Sequence, residues 1–288
     1  MPAAAVLLLV VLLVGPSVYP WMRGSTPVHN PAEAFKHFWL SRPFFSLRAL
    51  IYLALWIAMG AAIVRASRRE DSARVARLSA VFLVVFGMTF WLASFDWLMS
   101  LEPHWYSTVF GLYNFSGLFT SGLAAILVFA VWLERRGVLR HAVSAKQLQD
   151  LGTLLFAFGT FWAYLWFCQY MLIWYANIPE ETTHYVQRIH GAWGALFLLN
   201  LVLNWLVPFF ALMTRASKRE PRILMLVGGA VLLGRWLDLY LMIFPSQVGG
   251  RPVLGVWELG GVALLVGGLA LLFLRSVRQD FAAGAARA

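Results

Sequence analysis

Long apolar runs alternate with short polar connections along the whole chain. A bilayer-crossing helix needs about 20 mostly apolar residues. Eight runs reach that length, near residues 2–21, 43–64, 78–97, 105–133, 151–177, 189–214, 223–244 and 254–274. The pattern predicts an all-α integral membrane protein. The fourth and fifth runs are longer than a perpendicular crossing requires, so tilt or protruding ends are expected there. Met1–Val14 resembles the apolar core of a signal peptide. It lacks a basic flank before it and a small-x-small cleavage pattern after it, so a retained helix is expected. No connection exceeds about 20 residues, which leaves a single membrane domain over 1–288, and the Ala/Gly-rich residues 281–288 read as a frayed tail.

Basic residues give the runs a direction. The connections Arg65–Arg77, Glu134–Lys146 and Arg215–Arg222 hold five, four and four Lys or Arg, and the tail from Arg275 holds three. The alternate connections, Arg23–Arg42, Met99–Ser107, Ile178–Arg188 and Pro245–Pro252, hold three, none, one and one. Cytoplasmic loops concentrate Lys and Arg, so both termini are expected in the cytoplasm. Of the remaining two arginines, Arg48 is expected to snorkel to the outer interface, and Arg235 lies deep in the seventh run.

Composition agrees and excludes other classes. Hydrophobic residues make up 61% and charged residues 12%, with a mean hydropathy of +0.72. That is about half the charge of an ordinary soluble domain, which argues against a soluble enzyme, a disordered chain or a nucleic-acid binder. The net charge of +10 follows from the basic loops. Cys168 is the one cysteine, so the chain has no disulfide framework and no cysteine set for zinc or an iron–sulfur cluster. Axial haem ligation needs histidines at span depth on facing helices. His29, His37, His104, His141 and His184 fall in connections and His190 at a helix start, so no haem is expected. The aromatics from Phe158 to Tyr175 surround one helix, as packing and interfacial anchoring require; a flat quinone slot is the sharper alternative. Gly111, Gly117 and Gly122 suggest close helix contacts.

Ionisable groups at membrane depth are costly and therefore informative. Asp96 ends the third run, and Glu102 and His104 follow in the outer loop. Glu180 and Glu181 lie just beyond the fifth run, and Arg235 and Asp238 share one face of the seventh at i, i+3. Each has a structural reading, as an ion pair that permits insertion or a wet loop residue. Each also has a functional one, as part of a proton path or a quinone contact. Their common side predicts one connected outer-half network of Asp96, Glu102, His104, Arg235 and Asp238, with Glu180 as a further candidate.

Three segments carry a family resemblance. Ser94–Gly111 (SFDWLMSLEPHWYSTVFG), Phe161–Thr182 (FWAYLWFCQYMLIWYANIPEET) and Asp238–Pro245 (DLYLMIFP) look like the F-type membrane subunit of alternative complex III, the bacterial quinol:cytochrome c/HiPIP oxidoreductase. The Asn30–Arg48 region agrees, and the likeness extends over roughly residues 16–250. That subunit is similar to the polysulfide-reductase membrane-subunit (NrfD) family. The resemblance implies a helical bundle in the bacterial inner (cytoplasmic) membrane, without haem of its own, beside iron–sulfur and multihaem cytochrome c subunits and a paralogous NrfD-like subunit. It implies electron transport from quinol, with candidate proton paths here and the quinol pocket in the paralogue. Family members have further helices ahead of where this chain begins. Two other classes stay open: another NrfD-type quinone-linked reductase, and a secondary transporter. A transporter would be expected to show broken helices around midplane polar groups.

Overall fold

A computed structural model describes residues 15–24, 31–137 and 144–253, together with residues 255, 260, 267, 268 and 271. The chain forms two units, residues 1–250 and 251–288. The first holds the helices described below. Most of the expected first and eighth spans, and the tail 281–288, lie outside the described residues. From the first span a single helical turn, Gly15–Val18, and a 3₁₀ turn, Pro20–Met22, are described.

Six helices are long and apolar enough to cross a membrane. Preceded by the short α1 (Pro31–Trp39), they begin with α2 (Arg42–Arg68), α3 (Ser72–Trp97), α4 (Phe110–Arg135) and α5 (Ala145–Ala176). After the eleven-residue α6 (Pro179–Ile189) come α7 (Ala192–Ala211) and α8 (Pro221–Val248). Among the described residues there is no strand. The chain is an all-α, multi-pass membrane protein.

The ends of these helices follow from local chemistry. Pro43 and Pro221 stand in the first turns of α2 and α8, where a missing N–H costs nothing. Asp71 caps α3 by accepting from the Arg74 amide at 2.9 Å. Ser144 and Gln147 form a reciprocal capping box on α5. That helix stops at Asn177, which takes up a left-handed conformation. The fourth crossing starts at Phe110 and not at Trp105, because residues 98–109 fold as turns around Pro103.

The connection Ile178–Arg188 contains α6, where a loop was expected. Pro179 starts it, Glu180 and Glu181 complement its positive end, and Arg188 stands in its last turn. α7 contains a π-helical segment, Val202–Leu206.

α8 carries the intramembrane Arg235 and Asp238, and groups of this kind must be shielded from lipid. Accordingly half of its apolar window is buried, against 11% for α3. It packs on α4 and α7, α4 packs on α5, and α2 packs on α3. One end of the bundle joins the basic connections: Arg219 Nε donates to Gln149 Oε1 at 2.7 Å, and Lys218 lies over the Phe156 ring. Around that half the core is aliphatic, with Leu127, Leu155, Leu224 and Val231 fully buried. The carboxylates gather at the other end, under an aromatic core of Trp105, Phe110, Tyr113, Trp162, Tyr185 and Phe197.

Candidate functional site

At the carboxylate end the helices enclose a layer of buried polar groups. Its deepest part centres on Asp238, ten residues before the end of α8, or about 15 Å along the helix axis. Arg235 Nη1 donates to Asp238 Oδ2 at 2.6 Å. The other carboxylate oxygen accepts from the Tyr113 hydroxyl and from Asn200 Nδ2, the latter at 2.9 Å. Arg235 Nη2 donates to Asn114 Oδ1, and Asn114 Nδ2 donates to Ser94 Oγ at 2.9 Å. Asn204, in the π segment of α7, donates to Asn200 Oδ1 at 2.7 Å. Side chains from four helices thus satisfy a pair of charges that lipid alone would reject. Space for it comes from Gly117: a Cβ there would collide with the Arg235 guanidinium.

A second cluster lies nearer the surface and is organised by Arg188. Its Nη2 donates to Glu102 Oε1 at 2.5 Å and to the Met242 carbonyl at 3.1 Å. Its Nε donates to the Leu241 carbonyl at 2.8 Å, and its Nη1 to the His184 carbonyl at 2.7 Å. The other Glu102 oxygen pairs with His184 Nδ1 at 2.8 Å. The imidazole stacks on Trp105, with centroids 3.8 Å apart and planes 9° apart.

The electrostatics of this cluster oppose burial to charge. Burial works to raise the Glu102 carboxyl, but the hydrogen bonds and charges of His184 and Arg188 outweigh it and hold the group down at about 2. For His184, burial and then the Arg188 charge lower the imidazole to about 4, against the pull of Glu102. Near neutral pH the carboxylate is therefore ionised and the imidazole neutral, with Nδ1–H donating to Glu102. That leaves the second ring nitrogen an acceptor.

Between these clusters is a cavity of about 30 Å³, lined among others by Tyr113, Gln169, His184, Arg188, Asn200 and Asp238. Gln169 is 3% exposed, and its Oε1 has no partner among the described residues. A polar cavity of this size holds one or two waters. Pockets for organic ligands run to about 300–1,000 Å³, so a quinone ring does not fit here.

A third cluster stands apart. Arg48 grips Asp96 with two bonds, Nε to Oδ2 at 2.9 Å and Nη2 to Oδ1 at 2.8 Å. Trp39 Nε1 and the Tyr52 hydroxyl also donate to Asp96, at 2.8 and 3.1 Å. The guanidinium is stacked on Trp39 and Phe44. Arg48 is 7% exposed and does not snorkel outward; a bidentate carboxylate inside the fold holds it. This cluster fastens α1 and α2 to the end of α3.

Asp96, Glu102, Arg235 and Asp238 are thus all drawn into ion pairs, but hydrogen bonds do not unite them into one network. Asp238 and the two partners of Glu102, His184 and Arg188, line the same cavity, whereas Asp96 belongs to the separate Arg48 cluster. His104 is exposed and has no side-chain hydrogen bond among the described residues. Glu180 is exposed in the first turn of α6. His184 and Arg188 are central to the site, although the sequence alone places them only in a connection between spans. Their i, i+4 spacing behind a Pro-Glu-Glu helix start is the signal that would have found them. Asn114, Gln169, Asn200 and Asn204 were missed because amides in apolar runs carry no charge to draw notice. Among the described residues no three His, Cys, Asp or Glu side chains gather as a metal site.

Compared with known proteins, the chain matches no family model and no curated protein.

Proposed function

We propose that this chain is the F-type membrane subunit of a bacterial quinol:electron-acceptor oxidoreductase of the alternative complex III type. In this reading it lies in the cytoplasmic membrane with both termini in the cytosol, and anchors iron–sulfur and multihaem cytochrome c subunits beside a paralogous NrfD-like chain. Its own task is to pass protons between Asp238 and the non-cytosolic surface.

One observation carries the proton role: the water-sized cavity has the buried Asp238 carboxylate on one side and the His184–Glu102–Arg188 cluster on the other. A proton arriving at Asp238 weakens its hold on Arg235 and leaves the guanidinium to Asn114. Cavity water hands the proton on to the free nitrogen of His184, whose other nitrogen faces Glu102. Phe110, Tyr113, Trp166, Tyr185 and Phe197 give the cavity aromatic walls. The segments that bear the family resemblance support the assignment, because they meet at this place. Glu102 and Trp105 come from the first, Trp162 and Gln169 from the second, and Asp238, Leu241 and Met242 from the third.

The test is purification of the tagged chain from its native membrane in mild detergent. Iron–sulfur and haem c subunits should accompany it, together with quinol oxidation by the complex. In Asp238→Asn the complex should be less stable but still assemble and transfer electrons, while proton release per electron falls. A chain that purifies alone refutes the complex. Equal loss of assembly in Asp238→Asn and Asp238→Ala makes the pair structural.

A further inference from the structure

At the opposite end of the bundle a concavity of about 330 Å³ opens at the turn between α2 and α3, lined by Ala62, Arg65, Ala66, Arg69 and Arg74. Ala66 is buried and Ala62 half-buried, so methyl groups make the floor. The three arginines are exposed and form the walls. Arg65 uses Nε on the Ala61 carbonyl at 3.2 Å, which leaves its terminal nitrogens available. The turn contains two carboxylates, yet neither neutralises the walls. Asp71 accepts from the Arg74 backbone amide, and Glu70 sits at the apex in a left-handed conformation. Among the described residues no ion pair joins any of the three guanidiniums to a carboxylate.

We propose that this cradle binds the phosphate of an anionic phospholipid headgroup. Guanidinium groups match phosphate oxygens in pairs, and three around one concavity give more donors than a single carboxylate can use. The volume lies in the range of small-molecule sites. A methyl floor suits the glycerol carbons that follow the phosphate. The place is right for a lipid: the cradle joins the ends of two crossing helices at headgroup depth, and α3 is the least buried of the six. A zwitterionic headgroup brings its own cation against the arginines and binds less well. A soluble phosphate offers the same oxygens without the apolar half, so the two sources are separable.

The experiment is lipid titration of the full-length protein in mild detergent, read by native mass spectrometry. Phosphatidylglycerol should be retained over phosphatidylcholine. Each arginine near a charged lipid surface is worth about fivefold in affinity. The triple variant Arg65→Gln, Arg69→Gln, Arg74→Gln should therefore lose phosphatidylglycerol binding by about a hundredfold. A control that removes the same charge outside the cradle, Arg135→Gln, Arg136→Gln, Arg222→Gln, should lose at least about tenfold less, because those arginines do not surround one headgroup. Equal losses in the two triple variants overturn the site and leave only diffuse surface attraction. Complete displacement of lipid by excess inorganic phosphate overturns the lipid assignment in favour of a soluble anion. Should the cradle triple variant not fold, single substitutions at Arg65, Arg69 and Arg74 report the same effect at about fivefold each.

Discussion

The guanidinium of Arg235 rests against the backbone of Gly117 on the neighbouring helix, in space that a single methyl group would fill. The charged pair on α8 is therefore built jointly with α4, and the fit depends on a residue that is neither polar nor charged.

Gly117→Ala should accordingly destabilise the protein although alanine is the better helix former. Overpacking of this kind costs about 1–3 kcal/mol. Gly122→Ala, where nothing stands within 4 Å of a new Cβ, should be neutral or stabilising. Thermal unfolding in detergent compares the two. Equal melting temperatures would show that Arg235 can move aside without loss.

Removing one partner of the pair should be worse than removing both. Arg235→Gln leaves the Asp238 carboxylate buried with its hydrogen bonds but without a counter-charge, a loss of about 3–5 kcal/mol. Arg235→Gln combined with Asp238→Asn should recover part of that stability, because no charge is then stranded. A double-mutant cycle on melting temperature measures the coupling. Strict additivity would mean that the two side chains do not depend on each other.

The cluster of Glu102, His184 and Arg188 fixes a pH dependence. His184 is lowered from its ordinary 6.5 to about 4, and Glu102 from 4.5 to about 2. Both native pKa values are depressed, so the unfolded chain binds more protons and stability falls as the medium is acidified. The His184 contribution is complete above pH 6.5 and is lost on acidification from there to about 4. The Glu102 contribution is lost from 4.5 down to about 2. His184 alone accounts for up to about 3 kcal/mol. His184→Gln should flatten the melting-temperature profile between about pH 6.5 and 4 and also shrink the more acidic decline, because the His184 hydrogen bond and charge lead in holding Glu102 down. An unchanged profile in that variant would refute the assignment.

Six of the eight expected crossings appear among the described residues, and they were legible because hydropathy over about 20 residues is a coarse signal. Short-range chemistry then refined their ends, as Pro43, Asp71, Ser144 with Gln147, Asn177 and Pro221 show. The ion pair of Arg235 and Asp238 was readable too, since i, i+3 neighbours meet on any helix. What could not be read was partnership across helices. Nothing in the string places Arg48 against Asp96, or Arg188 of one connection against Glu102 of another. α6 escaped because eleven residues with Pro, two Glu and two Thr have little apolar content, and only their periodicity betrays a helix. The π segment around Asn204 is a register change in the backbone, for which no residue type is diagnostic.

Pro245 sits inside α8 and has no amide hydrogen to offer the carbonyl four positions back, which is that of Leu241. Arg188 Nε fills that vacancy from another helix. α8 is thereby clasped to α6, about two turns before its end at Val248. Leu241 stands one turn from Asp238 on the same helix, so the bond that replaces the missing amide also braces the backbone that presents the buried acid. An arginine and a proline together brace α8 at the point where its own hydrogen-bond ladder is broken.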